Sequence, residues 1–263
     1  MSNILDNASI SQFKSSEPFE LQVSRGQIEN HQSVVIFGYN PDIDTSLETV
    51  WPHGGVLVSP DTALQLSVSS ANSDDASGGT GARTVLVGGL DENHNAIQEI
   101  VTLNGQTAVT TEGSFLHINQ CEVLTTGSLK SAAGTIYFGT GVVTDGVPAT
   151  IYDVIEYDYN SRLTGSYTVP AGHTAYISQG MFSVGQQAGS NPITGRLITR
   201  NGDDVSRTAA VVTINNGSAD YSFEYPIAIR EKTTIEARSI GSSSNNSCTS
   251  MFVMVLIKEQ QDG

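Results

Sequence analysis

Histidines, paired aspartates, a glycine-rich loop and two cysteines are the residues of this chain best equipped for chemistry. The histidines are His31, His53, His94, His117 and His173. None stands in an HxH or HExxH spacing, so the sequence offers no zinc-type ligand set. His94 falls in a polar turn, His173 follows Pro170-Ala-Gly172, and His117 lies inside an alternating segment; all read as solvated or satisfied side chains. Asp74-Asp75 is a carboxylate pair of the kind a hard cation takes. Calcium wants about six to eight oxygens, however, and no further acids follow at loop spacing. Asp203-Asp204 meets the same objection.

Gly78-Gly-Thr-Gly81 has the composition of a phosphate loop, yet it precedes a strand-like segment, Thr84–Val87, and no Lys-Ser or Lys-Thr pair follows. Without a helix N-terminus to supply donors and dipole, phosphate has no physical basis for binding there. Cys121 and Cys248 are too few for a cysteine metal cluster. They either pair, if the fold brings them together, or stand as separate buried thiols, the second reading being favoured. No Gly-x-Ser-x-Gly elbow is present. A lone Trp51 argues against a carbohydrate groove of stacked aromatics. The expectation is a chain without catalytic, cofactor-binding or metal-ligating residues.

The elements that would position any site are strands. Hydrophobic residues make up 38% of the 263-residue chain, charged residues 15%, and there are 26 glycines. That composition suits half-buried strands and many turns better than helices. Thr62–Ser69 alternates apolar and polar residues, with Leu64, Leu66 and Val68 on one face. Thr84–Val87 and Ala96–Leu103 flank the turn-forming run Asp91–Asn95 and predict a hairpin. Ser33–Phe37 predicts a buried strand, closed by a turn at Gly38-Tyr-Asn-Pro41. Leu116–Leu124, Gly134–Phe138, Gly165–Val169, Thr174–Gln179, Arg196–Thr199, Ala209–Ile214, Thr233–Ala237 and Ser250–Ile257 predict further strands. The alternation Tyr157-Asp-Tyr159 predicts one more at a domain junction. The predicted fold class is all-β, with two β-sandwich or jelly-roll-like domains behind an extended N-terminal arm. The expected boundaries are an arm over 1–25, an acidic domain over 26–159 and a second domain over 160–263.

Charge is uneven. Residues 1–153 hold 17 acids and 4 bases, a balance of −13; residues 154–263 hold 10 acids and 8 bases, a balance of −2. Such an acidic first part repels nucleic-acid phosphates and anionic membranes, so neither is an expected partner. No apolar run reaches the ~18 residues of a membrane span. The first residues lack the basic and apolar regions of a secretory signal, so synthesis and folding in a cytoplasm are expected. Within the arm, Ile10, Phe13 and Phe19 sit on a polar, aperiodic segment. They are the candidate assembly contacts, because exposed phenylalanines leave burial that a partner surface can recover.

Several phrases resemble virion structural proteins of tailed bacteriophages, especially of the marine short-tailed type. They are Phe37-Gly-Tyr-Asn-Pro41, Glu48-Thr-Val-Trp51 with Gly54-Gly55, Gly79–Val85, Gly89-Leu-Asp91, Glu99–Gly105 and Thr107–Thr111. Tyr167-Thr-Val-Pro-Ala-Gly172, Thr174-Ala-Tyr176 and Glu231-Lys-Thr233 continue the resemblance, which spans most of residues 33–257. It implies a virion component made in the host cytoplasm. The expected partners are other virion proteins, namely a major capsid protein or a neck or tail ring, and further copies of the chain itself. A head decoration or cement role leads. A neck, tail or fibre-attachment component and a receptor- or glycan-binding module are the alternatives, with a polysaccharide depolymerase last.

Overall fold

A computed structural model describes residues 17–186, 191–202 and 205–259. The order of elements is a short helix α1 (Phe19–Ser24), then β1 (His31–Ile43), β2 (Glu48–Thr49), β3 (Leu64–Ser70), β4 (Ala82–Leu90), β5 (Ala96–Thr102), β6 (Val109–Phe115), β7 (His117–Thr126), β8 (Ile136–Thr144) and β9 (Val147–Ile155). The chain continues through β10 (Ser166–Thr168), β11 (His173–Gln186), β12 (Ile193–Arg200), β13 (Ser206–Ile214), β14 (Gly217–Ile229), β15 (Thr234–Gly241) and β16 (Asn246–Lys258). The fold class is all-β, and the strands form four antiparallel sheets.

The first sheet runs β1-β16-β11-β14 and the second β10-β15-β12-β13, with β2 added on β15. Their inward residues, among them Ile36, Ile177, Phe182, Leu197, Ile235, Phe252 and Met254, share one core. The third sheet, β6-β3-β8-β9, and the fourth, β5-β4-β7, enclose a separate core of Leu66, Val85, Val87, Phe115, Ile136 and Phe138. Each core follows from period-two burial along its strands.

The pairing moves the expected boundary. β1 lies beside β16 in register His31↔Ile257 to Asn40↔Cys248, and β2 pairs with β15. Residues 31–50 therefore share sheets and core with the C-terminal strands, and residues 64–155 form a unit inserted between them. A buried ion pair marks the return. Asp153, fully buried, takes Nε of Arg162 at 2.5 Å and the hydroxyl of Thr164 at 2.6 Å, while Arg162 Nη1 donates to the carbonyls of Thr164 and Ser166.

Three local expectations are corrected. Gly38–Pro41 is not a turn but the upper part of β1, where a bulge between Asn40 and Ile43 absorbs the proline. A Cβ on Gly38 would meet the Val50 carbonyl at 2.5 Å, so glycine serves a close approach of two backbones there. Tyr157–Tyr159 is a turn, with Asp158 and Asn160 at positive φ, rather than a strand. Residues 19–24 of the predicted arm form α1, whose Phe19 ring stands edge-on to the His31 ring at 5.9 Å and whose Val23 is buried.

Candidate assembly surfaces

The residues singled out for chemistry are used to hold the fold. Asp75 is fully buried, and its carboxylate accepts from the Ala82, Ala133 and Gly134 amides and the Ser70 hydroxyl at 2.6–2.9 Å. All four donors come from backbone or side chain of its own unit, so this carboxylate is a pin for the glycine-rich loop. A Cβ on Gly81 would meet Asp75 Oδ1 at 2.1 Å, which accounts for that glycine without a phosphate. Asp203-Asp204 lies outside the described residues. Among the described residues no group of three or more His, Cys, Asp or Glu is placed to hold a metal ion.

His94, at φ 64°, and His117 meet with their rings tilted by 47° at a centroid distance of 5.3 Å, where the tip of the β4–β5 hairpin meets the Pro170–Gly172 loop; the Ala171 amide donates to the His94 carbonyl. Burial first, then His94 and Arg200, pulls the His117 pKa down to about 4. Burial and Lys232 lower His94 as well. Cys121 and Cys248 are free thiols in separate cores, and burial pushes both upward, Cys248 to about 11. A thiol held protonated is a poor nucleophile.

The phrases that carry the phage resemblance meet one another in space. The Glu48 carboxylate accepts from the Gly55 and Asp44 amides and from Asn40 Nδ2, while Trp51 Nε1 donates to the Gly55 carbonyl. Gly54 and Gly55 hold φ of 76° and 67°, a backbone that favours glycine. Likewise the Pro170–Gly172 turn docks on the Glu231–Thr233 turn. The Gly172 amide donates to Glu231 Oε2, the Val169 amide donates to the Thr233 carbonyl, and the Lys232 amide donates to the Val169 carbonyl. These motifs are turn-locking devices.

On the outer face of the first sheet, Val35 and Phe37 of β1 are 50% and 46% exposed, and the register sets Val35 beside Val253 and Phe37 beside Met251, which has Met181 on its other side. The continuous run Met251–Ile257 thus makes β16 apolar on both faces, and its outer one is only half-covered. α1 stands at one end of this face, since His31, its contact, shares the outward parity of Val35 and Phe37. Of the candidate contacts, Phe19 lies at this end of the face, 49% exposed; Ile10 and Phe13 lie outside the described residues. A groove of about 720 Å³ separates the β1 edge, Gln32–Phe37, from the fourth sheet.

A second surface was missed in the sequence. β13 and β14 are the last strands of their sheets, joined by Asn215-Asn216. Val211 is 62%, Tyr221 43% and Tyr225 84% exposed there. The alternation Ala219, Tyr221, Phe223, Tyr225 against Asp220, Ser222, Glu224 was the available signal.

No protein-family model matches the chain, and no curated protein sequence matches it. Among solved structures, the infectious bursal disease virus Gx strain structure superposes with a TM-score of 0.21 at 9% identity, covering 93% of this chain and 83% of that one. The VP2 subviral particle of infectious bursal disease virus gives a TM-score of 0.21 at 9% identity, over 89% and 78%. Superpositions at that level carry no argument about fold or function. No helix among the described residues is long and apolar enough to cross a membrane.

Proposed function

We propose that this chain is a non-enzymatic structural subunit of a tailed-phage particle, and that it works by assembling with other subunits. Each sheet pair is read as a β-sandwich, the acidic one inserted into the other. The observation that carries the reading is a division of labour. The buried carboxylates Asp75, Asp153 and Glu48 are all engaged in fold-holding contacts, while exposed apolar side chains stand beside one another on the outer face of β1 (Val35, Phe37) and others stand at the β13–β14 end (Val211, Tyr221, Tyr225). A binding protein without an active site leaves that pattern, because contiguous exposed apolar surface on a folded chain marks a place where another surface docks. The sequence resemblance supplies the kind of partner: other virion proteins, with the head as the site and decoration as the role. Nucleic acid and membrane have no part in it, in keeping with the acidic inserted unit.

The test is protein stoichiometry on purified particles. On the order of hundreds of copies, matching a symmetric shell, supports decoration; about a dozen places the chain in a neck or tail ring instead. Absence from the particle removes the reading.

A further inference from the structure

The β13–β14 end carries a sharper inference, which deepens the assembly reading by naming one partner. We propose that it is an interface between two copies of this chain, related by a twofold axis running along the strands.

The two strands end their sheets, and among the described residues each has a hydrogen-bonded neighbour strand on one side only, β13 on β12 and β14 on β11. A free strand edge is a template for another strand. Joined by a two-residue turn, β13 and β14 run in opposite directions on opposite sheets. Rotation of a second copy about an axis along them sets its β14 antiparallel beside the first copy's β13, and the reverse. Both open edges close at once, as an isologous dimer requires.

Register follows from the same geometry. Residues equally far from the Asn215-Asn216 turn come side by side, so Ile214 to Ala210 of one copy face Gly217 to Tyr221 of the other. The ladder stops where it should. The register of β13 shifts beyond Ala210, leaving Ala209 bulged, and that of β14 shifts beyond Ser222, where Phe223–Pro226 stand opposite Ser178 alone. Bulges and a proline blunt the remainder of each edge, leaving only this short stretch fit to pair. On the inward side, Ala210, Val212 and Ala219, now only partly buried at the margin of the core, would be covered.

Charge selects this axis over others. β12 and β13 carry Arg196, Arg200 and Arg207 and no acid, whereas β14 carries Asp220 and Glu224 and no base. Arg196 pairs laterally with Val211 and with Arg238, whose guanidinium is already engaged by Glu236. In the proposed dimer the second copy's Asp220 lies on the far side of Val211, on the same outward face. Strands are about 4.8 Å apart, within the reach of an arginine across one intervening residue. A perpendicular twofold would set acidic β14 against itself.

The experiment exchanges the charges. Full-length chain, R196E and D220R are each measured by analytical ultracentrifugation, with far-UV circular dichroism to verify folding. The natural chain is expected to dimerise. R196E and D220R are each expected to weaken the dimer at least about tenfold at low salt. An equimolar mixture, and the R196E/D220R double variant, should recover it, because every facing pair is again opposite in sign. A monomeric natural chain, unaffected single variants, or folded variants that do not recover on mixing would each overturn the proposal. A dimer absent from particles would leave this inference standing and remove the virion reading; a monomer present in particles would do the reverse.

Discussion

β14 and β16 are both 13-residue strands of one sheet, and they differ in nearly everything that the sheet does for them. In β16 every second residue from Asn246 to Leu256 is buried, and the residues between are half-covered; in β14 only Ile229 is buried. Aromatic content does not explain it, since β14 has Tyr221, Phe223 and Tyr225 and β16 only Phe252. Position does. β16 lies between β1 and β11 and above the second sheet, so both edges and its inward face are occupied, whereas β14 ends the sheet. The same residue types thus hold the fold in one strand and offer a surface in the other.

The largest effect should come from the central strand. Phe252 is 4% exposed and packs edge-on to Phe182 at 5.7 Å. Phe252→Ala should cost about 3–5 kcal/mol of unfolding free energy, measured by urea denaturation, through lost transfer energy and the cavity left behind. A loss below about 1 kcal/mol would mean that β16 is no more central than β14. Asp75→Ala tests the inserted unit in the same way. Three amides and a hydroxyl lose their acceptor, and at about 1 kcal/mol or more for each of these four donors the loss should reach about 4 kcal/mol. If Asp75 were instead a cation ligand, removing divalent ions with a chelator would reproduce the loss in the natural chain; no change on chelation is expected.

How far the sequence revealed this follows from the range of each interaction. The β4–β5 hairpin was legible because its cause is local: Asp91 accepts from the Asn93 and Asn95 amides, and the strands follow in register Leu90↔Ala96. The union of β1 with β16 was not, because no short-range pattern says that Val35 will lie beside Val253. That pairing is also what displaced the expected domain boundary. Gly38-Tyr-Asn-Pro41 misled for a different reason: a bulge and a turn use the same residues, and only the tertiary neighbours Val50 and Gly165 distinguish them. Asp75 was noticed for its charge, but its four donors come from positions 70, 82, 133 and 134, which only folding assembles. β14 carries a readable alternation from Ala219 to Tyr225, which Pro226 interrupts.

A pH titration separates the buried junction from the exposed edge. His117 is held neutral, with a folded pKa of about 4 against an ordinary value of 6.5. The unfolded chain therefore binds the extra proton first as pH falls. Stability should be full above about pH 6.5 and decline towards pH 4, by up to about 3 kcal/mol from this group alone. His117→Gln, read by thermal melting at pH 7 and pH 4.5, should flatten that decline. An equally steep profile in the variant would assign the acid sensitivity to other groups.

The smallest effect is expected at Tyr225, and its smallness is the informative part. The side chain is 84% exposed, and it sits in the four-residue bulge opposite Ser178. Truncation to alanine removes few contacts from the single chain, so Tyr225→Ala should change the unfolding free energy by less than about 0.5 kcal/mol when measured at high dilution. Anything that binds only the folded state adds to stability as concentration rises. The natural chain should therefore melt higher in concentrated than in dilute solution. In Tyr225→Ala that concentration dependence should shrink while the dilute-solution value stays put, if the tyrosine overhangs the second copy. A large loss at high dilution would show that Tyr225 supports its own sheet. In that case β14 differs from β16 only in degree, and its tyrosines belong to the fold rather than to a surface.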